Sequence, residues 1–97
     1  MARSLLERRL IEVGAELRRN REELFVIEEQ LISLVDQADQ ARLRALVSET
    51  PLAQREHVDA NRHADLVVRR KAELHATLYE LEARQDKLLD RLSTTPQ

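Results

Sequence analysis

The sequence predicts an all-α protein in which two long helices form an antiparallel coiled-coil hairpin. Apolar residues recur at heptad spacing through both halves of the 97-residue chain, and the strong helix stop between the halves is Thr50-Pro51. One glycine and two prolines are too few for the turns of a β-sandwich or barrel. We therefore expect a single helical-hairpin domain over residues 1–97.

The first helix is expected over about residues 4–48. Ser4-Leu5-Leu6-Glu7 has the form of a capping box, in which the serine hydroxyl binds the third amide and Glu7 reaches back to the first. Two rows of residues then recur every seven positions on one face. These are Leu10, Leu17, Leu24, Leu31, Ala38 and Ala45, and Leu6, Val13, Asn20, Ile27, Leu34 and Ala41.

The turn is expected at residues 49–50 and the second helix over about 51–92, with a frayed tail at 93–97. Pro51 suits the first turn of a helix and disfavours the α conformation at Thr50, which is then its N-cap. The second helix also carries two rows. These are Ala53, Ala60, Val67, Leu74, Leu81 and Leu88, and His57, Ala64, Lys71, Leu78, Gln85 and Leu92. Two such stripes joined by a tight turn predict antiparallel packing.

Both helices carry further apolar residues beside these stripes, and a hairpin of only two helices has no interior in which to bury them. They are Ile11, Phe25, Ile32, Val35 and Leu46 on the first helix, and Val58, Val68, Ala72, Tyr79 and Leu89 on the second. Contiguous exposed stripes of this kind indicate association. We expect either a homodimeric four-helix bundle or an unidentified protein partner in place of the second copy. The residues expected at this surface are Phe25, Ile32, Val35, Val68 and Tyr79.

Acidic residues dominate the middle of the first helix. Residues 22–41 contain six acids and no basic residue. Folding at Thr50 places Glu28 and Glu29 roughly opposite the basic run at residues 69–71, which favours ion pairing within the hairpin. The alternative is a docking face for a basic partner.

Neither a catalytic nor a metal site is expected. The chain has no cysteine, and its three histidines lack the spacing of metal ligands. No serine is flanked by the glycines of a hydrolase nucleophile. Carboxylates on solvated helix faces need no acid–base role. We therefore expect that the protein is not an enzyme.

Charge and composition narrow the class of partner. With 16 Lys and Arg against 18 Asp and Glu, the net charge of −2 gives no bulk attraction to DNA, RNA or an anionic membrane. The N-terminal segment reaches Glu7 before any long apolar run, so neither a signal peptide nor a membrane anchor is expected. A cytoplasmic protein with no membrane or direct nucleic-acid binding is the expectation.

Part of the first helix resembles a family motif. Glu29, Ser33 and Gln40 match three of the five positions in Glu-x3-Ser-x2-Arg-x3-Gln-x3-Asp, the motif of small helical-hairpin anti-sigma factors gated by cyclic di-GMP. Asp36 and Arg44 stand where that motif has its arginine and its aspartate. The resemblance implies a sigma factor as partner and cyclic di-GMP as ligand, with Glu29, Ser33 and Gln40 contacting the nucleotide.

Two functions therefore follow from the sequence. The first is a non-enzymatic coiled-coil interaction or regulatory protein that presents a helical face to a protein partner. The alternative is a transcription-regulatory, anti-sigma-like hairpin that senses a cyclic dinucleotide.

Overall fold

A computed structural model describes residues 2–96 and consists of two helices. These are α1 (Ala2–Ser48, 47 residues) and α2 (Pro51–Thr94, 44 residues). The described part of the chain contains no β-strand. The predicted fold class, two long helices that form a hairpin, is confirmed. Gln97, the end of the predicted tail, lies outside the described residues.

The start of α1 differs from the prediction. The helix begins at Ala2, so Ser4 lies within it and does not act as its N-cap. Glu7 does not reach back to a capping position; its Oε1 lies 3.2 Å from Nε of Arg3, one helical turn earlier. Alanine and arginine are strong helix formers, and their propensity extends the helix past the serine.

The turn follows the chemistry predicted for Thr50-Pro51. The backbone amide of Ala53 donates to Oγ1 of Thr50 at 3.1 Å, so Thr50 caps α2 as expected. Glu49, which precedes it, has a φ of 52° and donates its amide to the carbonyl of Ala45 at 3.2 Å. This is a left-handed helix end made by a residue other than glycine.

At its other end, α2 continues two residues beyond the predicted Leu92. The hydroxyl of Ser93 donates to the carbonyl of Asp90 at 2.8 Å, and that of Thr95 donates to the carbonyl of Arg91 at 2.6 Å. These hydroxyls satisfy carbonyls that have no partner within the helix.

The four predicted heptad rows form the interior of the hairpin, which we call the seam. Every residue in them is buried or half-buried. Asn20, a half-buried member of a row, donates its side-chain amide to the carbonyl of Glu16 at 2.8 Å. No buried side-chain polar atom in residues 2–96 is without a hydrogen-bond partner. The polar residues of the seam therefore carry no orphaned group.

The chain divides into two compact units. The first, which we call the leucine unit, joins α1 up to Leu24 with α2 from Leu74 onward. Its buried side chains are large. They are Leu6, Val13, Leu17, Leu74, Leu78, Leu81 and Leu88. At its surface, Nη2 of Arg21 lies 3.4 Å from Oε1 of Glu82 and joins the two helices.

The second, which we call the alanine unit, spans Phe25–Glu73 and includes the turn. All but one of its buried side chains are those of alanine. The buried residues are Ile27, Ala38, Ala41, Ala45, Ala53 and Ala64. Side chains this short allow close approach of the helix backbones, and Nε2 of Gln54 reaches the carbonyl of Ala45 at 3.4 Å across the turn.

Leu17→Ala should lower the free energy of unfolding by about 2–5 kcal/mol, because it leaves a cavity in the leucine unit. Leu17 is 2% exposed and packs in one cluster with Leu78 and Leu81. Urea denaturation followed by circular dichroism measures the change. The exposed Arg19→Ala serves as the control and should change the free energy by no more than about 0.5 kcal/mol. Equal losses in both variants would contradict the assigned seam.

Glu49→Gly should raise the free energy of unfolding by about 0.5–1 kcal/mol, because glycine adopts a positive φ without the steric cost that a Cβ imposes. The matched control is Arg44→Gly, at an exposed position inside α1. That variant should lower the same free energy by about 1 kcal/mol. Thermal unfolding of the two variants beside the parent provides the measurement, and destabilisation by Glu49→Gly would contradict the turn geometry.

Candidate interaction surface

The described residues 2–96 contain no group of three or more His, Asp or Glu side chains suited to a metal ion. Neither helix has, within the described residues, a segment long and apolar enough to cross a bilayer. The candidate site must therefore be sought in exposed surface.

All five residues predicted at the partner surface are exposed. The exposed fractions are 66% for Phe25, 72% for Ile32, 46% for Val35, 48% for Val68 and 77% for Tyr79. The first four lie in the alanine unit, whereas Tyr79 belongs to the leucine unit. We call Phe25, Ile32, Val35 and Val68 the apolar face.

The apolar face owes its position to the seam. Val35 and Val68 each follow a seam residue, Leu31 and Ala64, by four positions. In an antiparallel helix pair such positions lie on the same side of the seam. Ile32 follows Leu31 by one position, and Phe25 lies seven residues before Ile32, so both border the same side of α1.

A shallow groove opens on this side of the alanine unit. It is lined by Leu31, Ile32 and Val35, with Glu28 and Lys71 also at its surface. Lys71 occupies a seam position and is half-buried. This is the burial expected for a lysine whose aliphatic stem covers apolar surface while its ammonium group stays in solvent. The groove thus combines an apolar floor with one acid and one base.

Sequence reasoning missed other exposed apolar side chains of the alanine unit. Leu43, Val47, Leu52 and Leu66 are exposed by 56%, 84%, 62% and 55%. They lie on the outer sides of the helices, away from the seam and its adjoining flank. Each lies two or five positions after a seam position in the heptad repeat, and apolar residues at such outward positions were the signal that would have found them.

Glu28 and Glu29 of α1 do not pair as predicted. In the described residues, neither Glu28 nor Glu29 forms a hydrogen bond or an ion pair, so the expected pairing with the basic run of α2 is wrong for both. The Glu28 carboxylate and the Lys71 ammonium group are therefore farther apart than the ion-pair distance of about 4 Å, although both residues line the same groove. These carboxylates remain available to a partner.

The residues of the anti-sigma motif lie on one exposed stripe of α1. Ser33 accepts a hydrogen bond from Nε2 of Gln37 at 3.2 Å, and Gln40 donates to Oδ2 of Asp36 at 2.8 Å. Glu29 is exposed, one turn before Ser33. The side chains are thus aligned, but the Gln40 amide is bound by the acid that replaces the motif arginine.

A second groove lies in the leucine unit. Its floor is Val13 and Leu88. Its charged residues are Arg9, Glu12, Glu16, Arg84, Lys87 and Arg91. Four cations against two acids give a weakly cationic surface, and the two carboxylates keep it from being a concentrated anion site.

No protein-family model, curated protein or solved structure matches this chain. Functional inference therefore depends on the geometry of its own residues.

Proposed function

We propose that this chain is a non-enzymatic interaction protein whose apolar face binds a helical protein partner. The exposure of Phe25 and Ile32 beside an apolar groove carries the proposal. Large aromatic and aliphatic side chains in contiguous exposed positions stabilise complexes when a partner buries them, each by about 1.5–3 kcal/mol. Both helices are formed in the free chain, so binding does not require the backbone to fold first, which lowers its ordering cost.

We expect that residues of the apolar face can be replaced without loss of the fold. Ile32→Glu combined with Val35→Glu should preserve the helix content measured by circular dichroism, because neither side chain is buried in the seam. The same variant should lose partner binding, since two new charges would be desolvated in the interface. Loss of helix content would instead assign these residues to the folding core.

Site-specific photocrosslinking tests the proposal directly. A benzoylphenylalanine at position 25 replaces one exposed aromatic by another, and the full chain is irradiated in its native cells. A protein adduct is expected at position 25 but not at Glu56, an exposed control on the other side of the seam. Equal adducts at both positions, or none at position 25, would overturn the proposal.

The resemblance to cyclic di-GMP-gated anti-sigma factors provides a second candidate, a ligand-sensing transcription regulator in the cytoplasm. Its support is the alignment of Glu29, Ser33 and Gln40 on one exposed stripe. Arginine recognises the guanine edge by a bidentate hydrogen bond, and α1 has Asp36 at that motif position.

Titration calorimetry with cyclic di-GMP separates the two candidates. Under the second candidate, Asp36→Arg combined with Arg44→Asp restores the five motif positions and should tighten binding by tenfold or more, as one bidentate pair provides about 1–3 kcal/mol. The matched control, Arg19→Asp, changes the charge of an exposed residue outside the motif. No heat from either the parent or the restored variant would reject the ligand-sensing candidate.

A further inference from the structure

The two edges of the apolar face carry opposite charge. On α1, Glu29 and Asp36 follow seam residues by five positions and border the face with acids. On α2, Arg62 and Arg69 hold the equivalent positions and border the face with bases. A surface with one acidic and one basic edge is complementary to a copy of itself.

Six charged residues around the apolar face form no ion pair within residues 2–96. We call them the charged band: Asp36, Asp39, Arg42, Arg62, Asp65 and Arg69. Glu28 and Glu29 add two further acids on the α1 side of this surface. In the described residues none of the six forms an ion pair, and the hydrogen bond that Asp36 accepts comes from the neutral amide of Gln40. These six charged groups can therefore form ion pairs with a partner.

The positions of these charges along the helices match. Lys71 lines the groove with Ile32 and Val35, which sets the register of the alanine unit. In an antiparallel pair, Arg69 is then level with about residue 34 and Arg62 with about residue 41. Asp36 and Asp39 lie within about 3 Å of those two levels along the axis, at 1.5 Å per residue.

We infer that the occupant of the apolar face is a second copy of this chain, packed with α1 of each copy against α2 of the other and both turns at the same end. The inference rests on the proposed function, whose surface it uses. In this arrangement Asp36 faces the partner's Arg69 and Asp39 faces the partner's Arg62. Ile32 and Val35 pack on the partner's Val68.

The opposite arrangement, α1 against α1, is disfavoured by the same charges. Residues 22–41 carry six acids and no base, so two antiparallel copies of this segment would place like charges together. Only the α1-to-α2 pairing brings each acidic edge to a basic edge. A two-fold axis parallel to the helices generates both such contacts at once.

Charge reversal tests the arrangement by sedimentation equilibrium and native mass spectrometry of the full chain. One variant is Asp36→Arg with Asp39→Arg, and the other is Arg62→Glu with Arg69→Glu. Each alone should weaken self-association by about tenfold or more, because every reversal acts twice in a two-fold dimer. An equimolar mixture should form a heterodimer as tightly as the parent dimerises, since both of its edges are complementary again.

The matched control for Asp36→Arg with Asp39→Arg is Glu56→Arg with Asp59→Arg, which makes the same change of net charge at α2 positions outside the apolar face and should leave self-association unchanged. Reversal variants that dimerise as tightly as the parent would overturn the proposed pairing. A parent that is monomeric at micromolar concentration would overturn the second copy as occupant. In that case, crosslinking of position 25 to a protein other than this chain would still support the proposed function.

Discussion

Every feature of this molecule depends on burial of one apolar stripe from each helix against the other. A single helix of more than forty residues in water buries nothing along its length, and most helical stability in proteins comes from packing of an apolar face. The seam provides that packing and also fixes which residues remain outside it. Exposure of Phe25 and Ile32 is therefore a consequence of the seam register, since a helix turned by one position would bury a different set.

The parts of the fold that are encoded locally were predictable from sequence. The heptad rows identified the seam because period and burial are directly related, and Pro51 located the turn because its ring fixes φ and removes a donor. The start of α1 was not predictable from Ser4. The residues before this serine have a strong helix propensity, so the helix begins ahead of the capping sequence. The positive φ of Glu49 was equally hidden, because glutamate is not a residue that favours this conformation.

The exposure of the candidate surface residues was predictable from the sequence, but the pairing of the charges around them was not. Residues outside the seam stripe had to be exposed, which identified Phe25, Ile32, Val35 and Val68. Whether Glu28 meets the basic run depends on side-chain reach and on a few ångströms of register, and sequence spacing does not resolve either. The carboxylates and guanidinium groups around the apolar face would favour one orientation of a bound partner, which its hydrophobic residues alone would not specify.

The small side chains in the core of the alanine unit affect how this part of the protein opens. Five of its six buried residues are alanines, and each turn therefore removes less apolar area from water than a leucine core does. Local opening costs less free energy where little apolar area is buried, so backbone amides here should exchange with deuterium through brief subglobal fluctuations. A bound helix would suppress those fluctuations. Amide exchange protection therefore offers a record of association that is independent of any probe attached to the surface.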